Sequence, residues 1–143
     1  MQLTRDFGLD GALPVGWGVR VMVLSNDAQS PLQERLAGMG GVVEHEIEVY
    51  AALSAIIDDP AGYGLFVVDC DSLGGVEVGA RVAATLTAVQ SRVPVILISE
   101  AHSTQVFPQE RDEPVCLRGP VSVLSLRMGF EHALRDRLVW RAA

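Results

Sequence analysis

The chain has 143 residues, 49% of them hydrophobic and 20% charged, a composition that fits one globular domain and excludes a disordered chain. Its cations are 11 arginines with no lysine, set against 18 acidic residues, and the net charge of −7 argues against a nucleic-acid surface. No apolar run reaches the ~20 residues a membrane span requires, and the start MQLTRDFGLDG lacks the basic and apolar regions of a signal peptide. The expectation is a cytoplasmic protein whose two cysteines, Cys70 and Cys116, are reduced core thiols.

Residues 1–18 carry Gly, Pro and Asp without periodicity and read as an arm before a domain over 19–143, with Phe7 and Trp17 placed to pin it. Val19 to Leu24 is the first strand, apolar except for Arg20. Ser30 suits a helix N-cap, Pro31 the first helical position, and Gln33 completes a capping box. Leu32, Leu36 and Met39 then repeat on one face until Gly40-Gly41 ends the helix. Val42 to Val49 alternates: Val43, His45, Ile47 and Val49 on one face, and Glu44, Glu46 and Glu48 on the other. That predicts an edge strand with a wet glutamate face, which also discourages edge-to-edge pairing.

Ala51 to Ile57 reads as a short helix, stopped by Asp58-Asp59-Pro60. Gly62 to Gly64 turns into the run Leu65-Phe66-Val67-Val68, which ends at Asp69. Gly74 to Arg92 is the third helix, with Val78, Val82, Leu86 and Val89 inward. Val93 to Ile98 is a continuous apolar strand with Pro94 near its start, where a missing N–H is tolerated. Ser103 to Asp112 is interrupted by Pro108, so a helix there is short or broken. Val115 to Leu117 is a fifth strand. Pro120 and Ser122 open the last helix, running to Trp140, with Leu124, Met128, Leu134 and Leu138 available for packing.

Strands and helices alternate five times. Such a pattern predicts an α/β fold of flavodoxin-like type, a three-layer sandwich around a parallel sheet of order 2-1-3-4-5 with right-handed crossovers. The order places the second strand at an edge, in agreement with its glutamates. It also places Asp69 at the carboxyl edge of the sheet, where open α/β folds build their sites.

Taken alone, Asp69 reads as a strand-end carboxylate that caps the following loop through Asp71, Ser72 and Gly74-Gly75. His45, His102 and His132 have no spacing that marks a metal site. The turn Ser25-Asn26-Asp27-Ala28 has no glycine to cradle a phosphate, and no Gly-x-Ser-x-Gly elbow is present.

Over residues 19–140 the chain resembles a response-regulator receiver domain. AALSAIIDDPAGYGLFVVD, from Ala51 to Asp69, is similar to the family's second helix, turn and phospho-acceptor strand. VPVILISE, from Val93 to Glu100, is similar to its fourth strand, and LRGPV, from Leu117 to Val121, to its fifth-strand turn with the lysine changed. The resemblance implies a phospho-acceptor position at Asp69 and a switch-hydroxyl position at Ser99. It puts the acidic pair that holds Mg²⁺ at Ser25 and Asn26, and the lysine at Gly119. The frame is kept, with 43 residues from Asn26 to Asp69, 30 on to Ser99 and 20 on to Gly119, but the metal pair and the lysine are gone.

That loss matters because a phosphoryl donor approaches an anionic carboxylate, and Mg²⁺ bound by further carboxylates neutralises the charge. Ser25 and Asn26 offer neutral oxygens, and Gly119 offers no cation. The resemblance therefore implies a pseudo-receiver, a signalling module without enzymatic activity or cofactor. It would act through the face of the fourth helix, fifth strand and fifth helix (103–114, 115–117 and 122–140), on a protein partner or on a second copy as a homodimer. Val106, Phe107, Phe130, Leu138 and Trp140 are the apolar candidates on that face. The alternative is a phosphorylatable receiver that uses Asp69, with Asp27 and Asp71 beside it holding Mg²⁺. A third reading is a flavodoxin-like small-molecule binder.

Overall fold

The computed structural model describes residues 17–135. Most of the predicted arm, with Phe7, and residues 136–143, with Leu138 and Trp140, lie outside the described residues. Five strands form one sheet: β1 (Arg20–Leu24), β2 (Val42–Glu46), β3 (Leu65–Asp69), β4 (Val95–Ser99) and β5 (Val115–Arg118). All neighbours run parallel, in the order β2-β1-β3-β4-β5, as predicted. Four helices cover it: α1 (Leu32–Gly38), α2 (Val49–Asp58), α3 (Val76–Ala88) and α4 (Val123–Ala133), with a 3₁₀ turn at Cys70–Leu73 after β3.

Because successive strand residues point to opposite faces, the apolar runs feed two cores at once. Val21, Val23, Val67, Ile96, Ile98 and Leu117 meet Leu36 of α1 and Leu126 and Phe130 of α4 on one face. Met22, Leu24, Phe66, Val68 and Leu97 meet Ala52 and Ile56 of α2 and Val82 and Leu86 of α3 on the other. The doubly covered sheet leaves its carboxyl edge, between the helix layers, as the place where polar loops converge.

Several local expectations are corrected. The second strand stops at Glu46, because Glu48 turns back to accept the Tyr50 and Ala51 amides at 2.9 and 3.0 Å and starts α2. Its glutamate face is half-buried: Glu44 pairs with the Arg20 guanidinium and accepts the Tyr63 hydroxyl at 2.7 Å. His45 and Ile47, expected inward, are exposed. The capping box does not form. Helix α1 begins at Leu32, whose amide reaches Ser30 Oγ at 3.3 Å, while Gln33 Oε1 has no hydrogen-bond partner.

The predicted third helix starts late, since Gly74 and Gly75 take φ of +120° and +127°. Its last apolar residue, Val89, is exposed. The fourth strand begins at Val95 and includes Ser99, with Pro94 lending only its carbonyl to the Phe66 amide. No helix forms over 103–112. Val106 instead makes one antiparallel bridge to Cys116 and covers the β5 edge. On α4, Leu126, Phe130 and Leu134 are buried, whereas Leu124 and Met128 are 66% and 49% exposed. Cys70 is fully buried and Cys116 half-buried, both as free thiols.

Candidate functional site

The predicted site residues do converge at the carboxyl edge, where β1, β3, β4 and β5 end side by side. Ser25 follows β1 and is fully buried. Its hydroxyl donates to Asp69 Oδ2 at 2.9 Å and accepts the Asp27 amide at 3.1 Å. The position expected to be a vacated metal ligand is thus a direct partner of the Asp69 carboxylate. Asn26 contributes its backbone: its amide donates to Ser72 Oγ at 2.9 Å, and that hydroxyl donates to the Asp69 carbonyl at 2.9 Å.

Ser99 ends β4 with 1% of its surface exposed. Its hydroxyl turns to Asp71, donating to Oδ1 at 2.7 Å, while Asp71 Oδ2 accepts the Glu100 amide at 2.8 Å. Ser99 Oγ also accepts the Ala101 amide at 3.0 Å. Two buried hydroxyls are therefore shared out between two carboxylates, Ser25 with Asp69 and Ser99 with Asp71. A buried hydroxyl without an acceptor is costly, which accounts for both pairings.

Asp27, offered as a metal ligand in the alternative reading, spends Oδ1 on the Gln29 amide at 2.9 Å, a local turn of the kind aspartate favours. Asp71 gives both oxygens to β4 and its loop. Among the described residues no three His, Cys, Asp or Glu side chains are placed to hold a metal. Mg²⁺ needs near-octahedral oxygens with carboxylates among them. With Asp69 bonded to a neutral serine, Asp27 Oδ1 held in its own turn and both Asp71 oxygens held by β4 and its loop, the described residues do not fit that ion.

The lysine position, Gly119, donates its amide to the Ser99 carbonyl at 3.1 Å and precedes a cis bond to Pro120. Arg118, next to it, is exposed and donates to the Ser103 carbonyl at 3.4 Å. A groove of about 590 Å³ opens over the site, with Asp27, Asp69, Asp71 and Glu100 along it and Gly119 in its wall. Its cation is Arg35 of α1, which donates to the Val121 carbonyl at 2.7 Å.

Behind the site, burial pushes the Cys70 thiol up to about 11, so it is not a nucleophile at neutral pH. Burial also raises Cys116. The three histidines lie apart. His45 Nε2 contacts the Ser25 carbonyl, His102 Nδ1 the Leu117 carbonyl, and His132 Nε2 the Pro108 carbonyl.

The sequence resemblance put Ser25, Asp69 and Ser99 at this edge, where the structure also has them, but did not show who bonds to whom. The signal lay in the Asp69-Cys70-Asp71 spacing, which sets two carboxylates beside each other at one strand end between two strand-end serines. Arg35 was missed because only the helix packing brings it to the groove.

Comparison with known structures places the fold. A response-regulator receiver domain protein from Clostridium thermocellum superposes with a TM-score of 0.69 at 12% identity, covering 85% of this chain and 98% of that one. The Vibrio cholerae chemotaxis protein CheY4 gives 0.62 at 15% identity over 81% and 98%. A CheX–CheY complex with BeF₃ and Mg²⁺ from Borrelia burgdorferi gives 0.65 at 9% identity over 84% and 96%. No protein-family model matches the sequence, and no curated protein matches it. The chain is therefore similar to receiver domains in fold.

Proposed function

We propose that this receiver fold is a signalling module that works through protein contacts, without Mg²⁺-dependent phosphorylation of Asp69. The observation that carries the reading is the bond from Ser25 Oγ to Asp69 Oδ2. It sets a neutral hydroxyl against the acceptor oxygen where phosphoryl transfer needs a metal-bound carboxylate. The module binds no cofactor, catalyses no reaction and acts in the cytoplasm as the domain over 19–143. No helix among the described residues is long and apolar enough to cross a membrane.

The contact face is the bridged segment around Val106 together with β5 and the outer side of α4. Val106, Val123, Leu124 and Met128 are exposed there, while Phe130 belongs to the core and Phe107 packs against it. A protein partner or a second copy meets this face. That a structural neighbour is a CheY in complex with CheX supports protein contact as a use of the fold. Arg127 lies 4.0 Å from Glu131 on the same helix, an arrangement that offers little to nucleic acid.

Incubation with acetyl phosphate and Mg²⁺, followed by intact mass measurement, tests the reading. The expected spectrum is unchanged. A gain of one phosphoryl group that disappears in Asp69→Ala establishes the alternative, a phosphorylatable receiver.

A further inference from the structure

We propose that Asp71 is the latch of the loops after β4 and β5. It fixes one arrangement of residues 99–119, and with it the face that this stretch and α4 present. The part concerning a partner face rests on the protein-contact reading; the latch itself does not.

Both Asp71 oxygens cross from the 3₁₀ turn to β4, one to the buried Ser99 hydroxyl and one to the Glu100 amide. Hydrogen bonds to an ionised carboxylate are stronger than neutral ones. From Ser99 the bonding continues without a gap: Ser99 Oγ takes the Ala101 amide, and the Ser99 carbonyl takes the Gly119 amide at 3.1 Å. Farther along, Val106 and Cys116 exchange amide bonds at 2.8 and 2.9 Å. The Pro108 carbonyl accepts from Arg135 and contacts His132 beside α4.

The stretch from 100 to 114 has no helix; besides the bridge at Val106 it is tied by the His102 contact to the Leu117 carbonyl and the Glu113 amide bond to the Glu110 carbonyl. Segments with few internal bonds open at low free energy, so their arrangement depends on their anchors. Asp69, two residues away, does not share the task, because its carboxylate accepts from Ser25 Oγ, which in turn accepts the Asp27 amide in the loop after β1. Loss of the Asp71 carboxylate leaves the buried Ser99 hydroxyl without its acceptor and disconnects the turn from the β4 loop.

Amide hydrogen exchange measured by NMR on the full chain tests this. In Asp71→Ala the Gly119 and Val106 amides, whose own acceptors remain, exchange ~10-fold faster or more, while those of β1 to β3 keep their rates. Asp69→Ala leaves Gly119 and Val106 unchanged. Acceleration confined to Glu100, which loses its acceptor directly, overturns the latch, as does the same opening in Asp69→Ala. Should Asp71→Ala not fold, Asp71→Asn keeps one acceptor; the same two amides then accelerate by a smaller factor, and unchanged rates overturn the proposal. Phosphoryl uptake by the wild type contradicts the protein-contact reading and leaves these exchange rates to decide the latch.

Discussion

Ser25 and Gly119 show how differently two altered positions can behave. Ser25 is buried and bonded on both sides, so Ser25→Ala strands the Asp27 amide and removes a donor from Asp69. Urea unfolding is expected to show a loss of about 1–3 kcal/mol. Gly119 has no such constraint: a Cβ there meets the Glu100 amide nitrogen at 3.5 Å and nothing nearer. Gly119→Lys should fold with stability within about 0.5 kcal/mol of the parent, and by itself should confer no phosphorylation, since no metal site accompanies it among the described residues. Titration behaves as burial dictates. The folded protein holds the Cys70 thiol at about 11 rather than 9.0, so the unfolded chain ionises first as pH rises. The stabilisation from keeping it neutral is complete below pH 9 and is lost as pH climbs towards 11. Urea midpoints between pH 8 and 11 should fall in the parent and fall less in Cys70→Ala.

At the scale of elements, close packing rather than propensity sets the tolerances. A Cβ on Gly79 of α3 would lie 2.4 Å from Cys70 Sγ, so Gly79→Ala overpacks the contact between helix and sheet. It should cost about 1–3 kcal/mol, and a double-mutant cycle with Cys70→Ala should recover part of that loss. Helix α4 provides the opposite test of which side is inside. Phe130→Ala should cost about 3–5 kcal/mol, whereas Leu124→Ala should stay within about 0.5 kcal/mol; thermal melts of the two distinguish the faces. The strand runs were legible because β1, β3 and β4 are apolar on both sides, as a doubly covered parallel sheet requires. Helix faces were less so. Leu124 and Met128 have the same spacing as Leu126 and Phe130, and only the sheet beneath selects between them. The alternation through Glu48 misled for a related reason, because a glutamate that caps a helix cannot be told from one on a wet strand until the helix exists.

For the whole molecule, topology was the most legible level, since five alternating units leave few arrangements of a parallel sheet. The site was half legible. The resemblance to receiver domains put Ser25, Asp69, Ser99 and Gly119 together, yet the bonding, with Ser99 donating to Asp71 and Ser25 to Asp69, depends on side-chain directions that spacing does not encode. The consequence is a receiver-like fold whose carboxyl edge carries two serine–carboxylate bonds, and whose β5 edge is bridged by Val106, with no helix over 103–112. Under the proposed reading, signalling falls to the surfaces. The most direct test is an amide NMR titration of the intact protein with Mg²⁺ and beryllofluoride. The account predicts no saturable shifts at Ser25, Asp69, Ser99 or Gly119. Saturable shifts at those amides, abolished by Asp69→Ala, would contradict it.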